Sequence, residues 1–195
     1  MREPSSPDEQ EQVMLLAGRL FSQIGYDATT IQMISDAAGV PVDSVLAIGT
    51  KQQIYRAVLD SLWEKENRFL EELASRVPPG PEGLHILADA FLDFCLENPE
   101  LPSLWMHRWL ADAADIRDLE ARYAVPVMSA MADVVRGLGN PDVDPVLAAH
   151  GAVWLAYGYA HTGLQFGYAR SPDANAPENV RRFKAYFHSL IDCLF

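Results

Sequence analysis

The segment from Gly25 to Leu59 constrains the fold more than any other part of this chain, because its signals describe two short helices, a tight turn and a longer helix. Thr29 or Thr30 can cap the first short helix, and Gly39 can supply the left-handed residue that ends it. A second short helix then starts at Pro41. Two helices joined in this way form a helix-turn-helix.

These residues together resemble the N-terminal domain of the TetR family of bacterial repressors. The resemblance implies an all-helical homodimer with an N-terminal DNA-binding domain and a C-terminal domain that binds a small effector and dimerises. The matching residues are Phe21, Gly25, Tyr26, Thr29, Thr30, Ile31, Ile34, Ala37, Ala38, Gly39, Val40, Gly49, Thr50 and Lys51.

The helix that would read DNA departs from the family pattern. Residues 41–48 read PVDSVLAI and lack the lysine, the aromatic cluster and the histidine that the family usually carries there. Two hypotheses follow. Either the chain is a ligand-responsive regulator, a repressor that binds operator DNA as a homodimer, or it is a TetR-like protein without operator binding. In the second case it would bind a small molecule, or act as an enzyme, in its C-terminal cavity.

Charge bears on the same question, since Lys and Arg supply most of the non-specific affinity for DNA. Residues 1–60 carry four basic residues against eight acidic ones, and the whole chain has a net charge of −12. Polar side chains and backbone N–H groups at helix starts also bind phosphate. We therefore predict backbone contacts from Thr29, Thr30, Gln32, Ser44, Thr50 and Lys51, with Val42, Asp43 and Val45 or Leu46 at base edges.

Along the whole chain, apolar residues recur at steps of three and four between Pro, Gly, Asn and Asp, which predicts an all-α protein of about nine helices. We expect a DNA-binding domain over residues 1–49, a connecting helix over 50–76 and an effector-binding and dimerisation domain over 77–195. The later helices are expected near residues 82–97, 102–111, 116–138 with a kink at Pro126, 145–168 and 177–194.

Aromatic and sulfur side chains are unusually dense in the predicted second domain, which favours an apolar pocket for a small hydrophobic or aromatic effector. Core packing is the alternative for each of them. The predicted ligand-binding residues are Phe91, Phe94, Trp105, Met106, Trp109, Tyr123, Met128, Trp154, Tyr157 and His161. Arg108 or His107 could meet a polar end of the ligand, or Arg108 could pair with Asp112.

The last two helices combine small and aromatic residues in a way that predicts a four-helix dimer interface, or else a helix pair within one chain. No motif for catalysis, a cofactor or a metal stands out, so we expect none of them. The N-terminus is acidic and polar, and no uninterrupted apolar segment reaches transmembrane length. A cytoplasmic protein that contacts no membrane is therefore expected.

Overall fold

The computed structural model describes residues 7–74, 76–138, 140–163, 165–166, 169–170 and 176–195. Within these ranges the all-α prediction is confirmed. The helices are α1 (Pro7–Ile24), α2 (Ile31–Ala38), α3 (Val42–Ile48), α4 (Lys51–Ala74), α5 (Pro81–Glu97), α6 (Glu100–Trp109), α7 (Val125–Gly137), α8 (Pro145–Thr162) and α9 (Pro177–Leu194). A two-residue antiparallel pair, β1 (Gln165–Phe166) with β2 (Ala169–Arg170), follows α8.

The helix-turn-helix forms for the local reasons that the sequence suggested. Thr30 is the N-cap of α2, and its hydroxyl accepts the N–H of Met33. Gly39 ends α2 with φ of 68°, the left-handed conformation that favours glycine. Thr50 and Gln53 form a reciprocal capping box at the start of α4, each side chain accepting the other residue's N–H.

The chain divides into two compact units, and the division differs from the predicted domains. The first unit contains residues up to Glu66 together with Ser103–Arg117, and the second contains Asn67–Pro102 and Asp118–Phe195. The sequence places residues 103–117 in the effector domain because they follow the proline-rich break at residues 77–81. In the structure this segment packs with the helix-turn-helix instead.

The bounds of two helices differ from the predicted ones. Residues 116–119 are outside α7, which is preceded by a π-helical turn at Glu120–Ala124 in which the N–H of Val125 reaches back to the carbonyl of Glu120. This irregular turn comes just before Pro126, where the sequence predicted a kink. Helix α8 stops at Thr162 rather than near residue 168, because Gly163 takes φ of 63°.

In the second unit, α5 packs against both α8 and α9. A ladder of three polar pairs joins α5 to α9. Lys184 Nζ lies 2.7 Å from Asp93 Oδ2, His188 Nε2 lies 2.8 Å from Asp89 Oδ1, and His85 Nε2 lies 2.9 Å from Asp192 Oδ1; these residues repeat every four positions on each helix. The pairs fix the register of two antiparallel helices.

No single helix in the described ranges is both long and apolar enough to span a membrane. Only the bent pair of α2 and α3, counted together, meets those two criteria.

Candidate functional site

The helix-turn-helix consists of two short helices, and its exposed surface is poor in positive charge. On α3, Asp43 is exposed and Leu46 is 51% exposed, whereas Val45 is fully buried. Val42 and Ser44 are half-buried. Of the alternatives left open for the base edges, Leu46 therefore faces outward and Val45 belongs to the core of the first unit.

Two of the predicted phosphate-binding residues have structural roles in the first unit. Thr29 is fully buried, and its hydroxyl donates to the carbonyl of Gly25 at 2.6 Å. Its predicted contact with DNA is therefore corrected, because the side chain does not reach the surface. Lys51 Nζ donates to the carbonyls of Tyr26 and Thr29 at 2.9 and 3.0 Å and lies 4.1 Å from the centre of the Tyr26 ring.

The other predicted phosphate-binding side chains remain at or near the surface. Thr30, Gln32 and Thr50 are exposed. Gln32 donates from Nε2 to Asp36 at 2.7 Å, and the hydroxyls of Thr30 and Thr50 hold the starts of α2 and α4. These side chains lie beside helix starts, where backbone N–H groups attract anions.

The segment from Ser103 to Arg117 supports the loop between α1 and α2. Asp112 accepts the N–H groups of Tyr26 and Asp27 at 2.7 and 2.8 Å. Arg108 donates to the carbonyls of Asp112, Ala113 and Ile116. Arg108 thus contacts the backbone carbonyl of Asp112, while the carboxylate of Asp112 accepts the N–H groups of the loop.

His107 also contributes to this packing, with Nε2 3.1 Å from the carbonyl oxygen of Ser22 on α1. Trp105 is buried and Trp109 is half exposed in the same segment. The contacts of Asp112 and His107 explain why residues 103–117 belong to the first unit. Burial, together with the nearby carboxylate of Asp112, also raises the pKa of Tyr55 well above its usual range.

The second unit contains an apolar cavity of about 690 Å³. Its wall is formed by aliphatic and aromatic side chains from α4, α5, α7, α8 and α9 and by the turn before α8. Representative wall residues are Leu73, Leu84, Phe91, Met131, Val135, Leu147, Ala152, Leu155, Phe187 and Leu190. A volume of this size suits a small organic molecule.

Most of the predicted ligand residues lie outside the described wall of this cavity. Phe91 lines the cavity, but the other nine do not. Trp105, Met106 and Trp109 belong to the first unit. Phe94 stacks on Phe69, and Tyr157 stacks on Phe91, while Tyr123 is buried. Trp154 and His161 are exposed, and Met128 is half-buried.

Sequence reasoning found Phe91 but missed most of the wall, because it looked for aromatic and sulfur side chains. The wall is dominated by leucine, valine and alanine at helical spacing, such as Leu84, Ala88 and Phe91 on α5 or Ala148, Ala152 and Leu155 on α8. The same spacing is typical of any buried helix face. Only the tertiary structure separates a cavity wall from a filled core.

Helix α4 carries a buried carboxyl group. Glu66 is 4% exposed, and burial raises its pKa to about 7. A carboxyl group in such surroundings is largely protonated below neutral pH.

A scan against protein-family models and a search of curated proteins find no match to this chain. Solved structures do match. The ketosteroid regulator KstR2 of Mycobacterium tuberculosis superimposes with a TM-score of 0.72 at 16% identity, covering 96% of this chain and 95% of that one. The TetR-family regulator PfmR of Thermus thermophilus gives 0.67 at 19% identity, with coverage of 92% and 96%.

This chain has the fold of the TetR-type transcriptional regulators. The fatty acid degradation regulator FadR of Bacillus halodurans also superimposes on this chain, with a TM-score of 0.67 at 14% identity and coverage of 97% and 96%. The matches extend over nearly the whole of each chain, so the TetR-type fold includes both compact units.

Proposed function

We propose that this protein is a transcriptional regulator that binds operator DNA as a homodimer and is released from it by a small hydrophobic or aromatic effector. The main observation behind the proposal is the helix-turn-helix itself. Its helix α3 exposes Asp43 and Leu46 and packs into the core through the buried Val45. A helix exposed in this way fits the major groove. Regulators with the same fold supply the second line of support.

Exposed apolar residues on the last two helices support the homodimer. Trp154 on α8 and Tyr186 on α9 are each 54% exposed. Gly158 lies one turn after Trp154 on α8, and an added Cβ there would meet nothing within 4 Å. A small residue beside large exposed ones allows a second helix to approach closely.

The dimer is testable with substitutions of matched exposure. Trp154→Glu should convert the protein to monomers in sedimentation-velocity experiments, because it places a charge in the proposed interface. Val125→Glu on α7 is the control, since both side chains are 54% exposed. A Trp154→Glu protein that sediments as wild type would contradict this interface.

DNA binding is tested by selecting sequences from random duplex DNA with the purified protein at low and moderate salt. Enrichment of a palindrome is the expected result, because a two-fold dimer reads two half-sites. Leu46→Glu should abolish the enrichment. Leu15→Glu on α1, with an exposure of 54% against 51% for Leu46, should leave it intact.

A second candidate is small-molecule binding without operator binding, and the acidic first unit favours it. Its basic residues are few, and Lys51 already holds two backbone carbonyls. No enrichment at low salt from a folded dimer would support this candidate and contradict the regulator. Turnover of a bound ligand would then distinguish an enzyme from a binding protein.

A further inference from the structure

The described wall of the apolar cavity in the second unit contains two acidic residues and no basic ones. Among the described residues that line it, Asp142 and Asp144 are the charged ones, and the Cys193 thiol is the other polar side chain. None of these wall residues is Lys, Arg or His. An anionic head group at this end of the cavity would therefore lie close to two acidic residues, and the described wall residues supply no basic side chain.

The start of α8 lies in this wall, and the backbone N–H groups at a helix start ordinarily attract an anion. Here that position is already taken by Asp144, whose Oδ1 accepts the N–H groups of Val146 and Leu147 at 2.8 and 3.1 Å. The N-terminal N–H groups that would bind a phosphate or a carboxylate are thus satisfied by the protein's own side chain. Asp142, two residues earlier, is exposed and adds a second negative charge.

We infer that the cavity takes a neutral or cationic apolar molecule, such as a lipophilic alcohol or amine, and discriminates against carboxylates and phosphates of the same size. This inference deepens the proposed function by naming the chemistry of its effector. The aliphatic wall holds the hydrocarbon part of the molecule. Asp142 and Asp144 line the cavity beside the start of α8, and their negative charge favours an ammonium group over a carboxylate there.

The experiment uses the full-length protein and a neutral fluorescent probe, N-phenyl-1-naphthylamine, at pH 7. Dodecanol, dodecylammonium and dodecanoate compete with the probe below their micellar concentrations. We expect the alcohol and the amine to displace it, and dodecanoate to need at least tenfold higher concentration. Displacement by dodecanoate as effective as by the amine would overturn the inference.

Two variants connect the selectivity to the cavity. Asp142→Lys should reverse the order of amine and carboxylate, whereas Glu97→Lys makes the same change of net charge at an exposed position outside the wall and should preserve it. Gly151→Leu directs a large side chain from the wall into open space and should abolish probe binding while circular dichroism stays helical. Unchanged selectivity in Asp142→Lys, or unchanged probe binding in Gly151→Leu, would contradict the assignment.

These outcomes are separate from those of the DNA selection. A protein that binds DNA but no probe would retain the proposed regulator and lose this inference, as when a second copy of the chain fills the cavity. A protein that binds the amine selectively but no DNA would retain the inference and lose the regulator. Release of selected DNA by the amine, and not by dodecanoate, would support both.

Discussion

The carboxylate of Asp112 accepts the backbone N–H of Tyr26 at 2.7 Å, although the two residues are 86 positions apart in the chain. The other carboxylate oxygen accepts the N–H of Asp27 at 2.8 Å. Gly25, next in the loop, takes φ of 84°, and a Cβ there would lie 3.0 Å from Asp112 Oδ1. The loop that leads into the helix-turn-helix is therefore shaped by one distant carboxylate.

Removing this carboxylate should destabilise the first unit. Asp112→Ala leaves two backbone donors without their acceptor and should lower the free energy of unfolding by about 1–3 kcal/mol. Urea denaturation followed by circular dichroism measures the change. Asp115→Ala, at an exposed position three residues away, is the matched control and should change stability by less than about 0.5 kcal/mol. Equal effects of the two substitutions would show that Asp112 does not shape the loop.

Lys51 should contribute more to the stability of the folded protein than to DNA binding. Its ammonium group holds the carbonyls of Tyr26 and Thr29, so Lys51→Met should cost about 1–3 kcal/mol of unfolding free energy. Lys65→Met, exposed on the same helix, is the comparison. A Lys51→Met protein that is as stable as wild type but binds DNA less tightly would assign this lysine to phosphate instead.

Asp43 should oppose DNA binding. It is an exposed acidic residue on α3, so Asp43→Asn should raise the affinity for duplex DNA about threefold to tenfold at low salt, and less at high salt, where charges are screened. Fluorescence anisotropy at two salt concentrations tests this. Glu97→Gln changes the net charge equally in the second unit and should have little effect. Weaker binding by Asp43→Asn would indicate that the carboxylate accepts a hydrogen bond from a base.

Glu66 should make stability depend on pH. Its pKa of about 7 in the folded chain exceeds the usual 4.5, so the folded state binds the proton more tightly than the unfolded state. The contribution of the protonated Glu66 carboxyl group to the free energy of unfolding is fully present below pH 4.5 and is lost as the pH rises through 7. Glu66→Gln removes this loss and should stabilise the protein at pH 8 by about 2–3 kcal/mol, with little effect at pH 4.5.

The control for Glu66→Gln is Glu71→Gln, because Glu71 is exposed on the same helix. Thermal denaturation at pH 4.5, 6 and 8 compares the two variants with wild type. A stability difference for Glu66→Gln that is the same at all three pH values would contradict the burial argument.

Replacing Gly83 by a residue with a side chain should destabilise the second unit. A Cβ at this position in α5 would lie 1.9 Å from the carbonyl oxygen of Pro78, so Gly83→Ala should destabilise the second unit by about 1–3 kcal/mol. Gly137→Ala in α7 is the matched control, since its Cβ would meet nothing within 4 Å. That substitution should be neutral or stabilising by up to about 1 kcal/mol. Chemical denaturation of both proteins gives the comparison.

The sequence alone predicted the helical class and most helix ends, because these depend on local chemistry. Thr30, Gly39 and Thr50 cap their helices whatever surrounds them, and proline stands in the first turn of α1, α5 and α9. The helix-turn-helix could also be found in this way, because its pattern lies within about thirty residues.

The tertiary structure alone decided which side chains are available for function. Thr29 and Val45 have suitable chemistry for a DNA surface but are buried. Trp105 lies in the first unit and not in the predicted effector domain, because Asp112 and His107 join its segment to Tyr26 and Ser22. The cavity wall is made of leucine, valine and alanine from five helices, whose spacing is that of any core. Burial and empty space depend on contacts between residues far apart in sequence, and local patterns do not encode them.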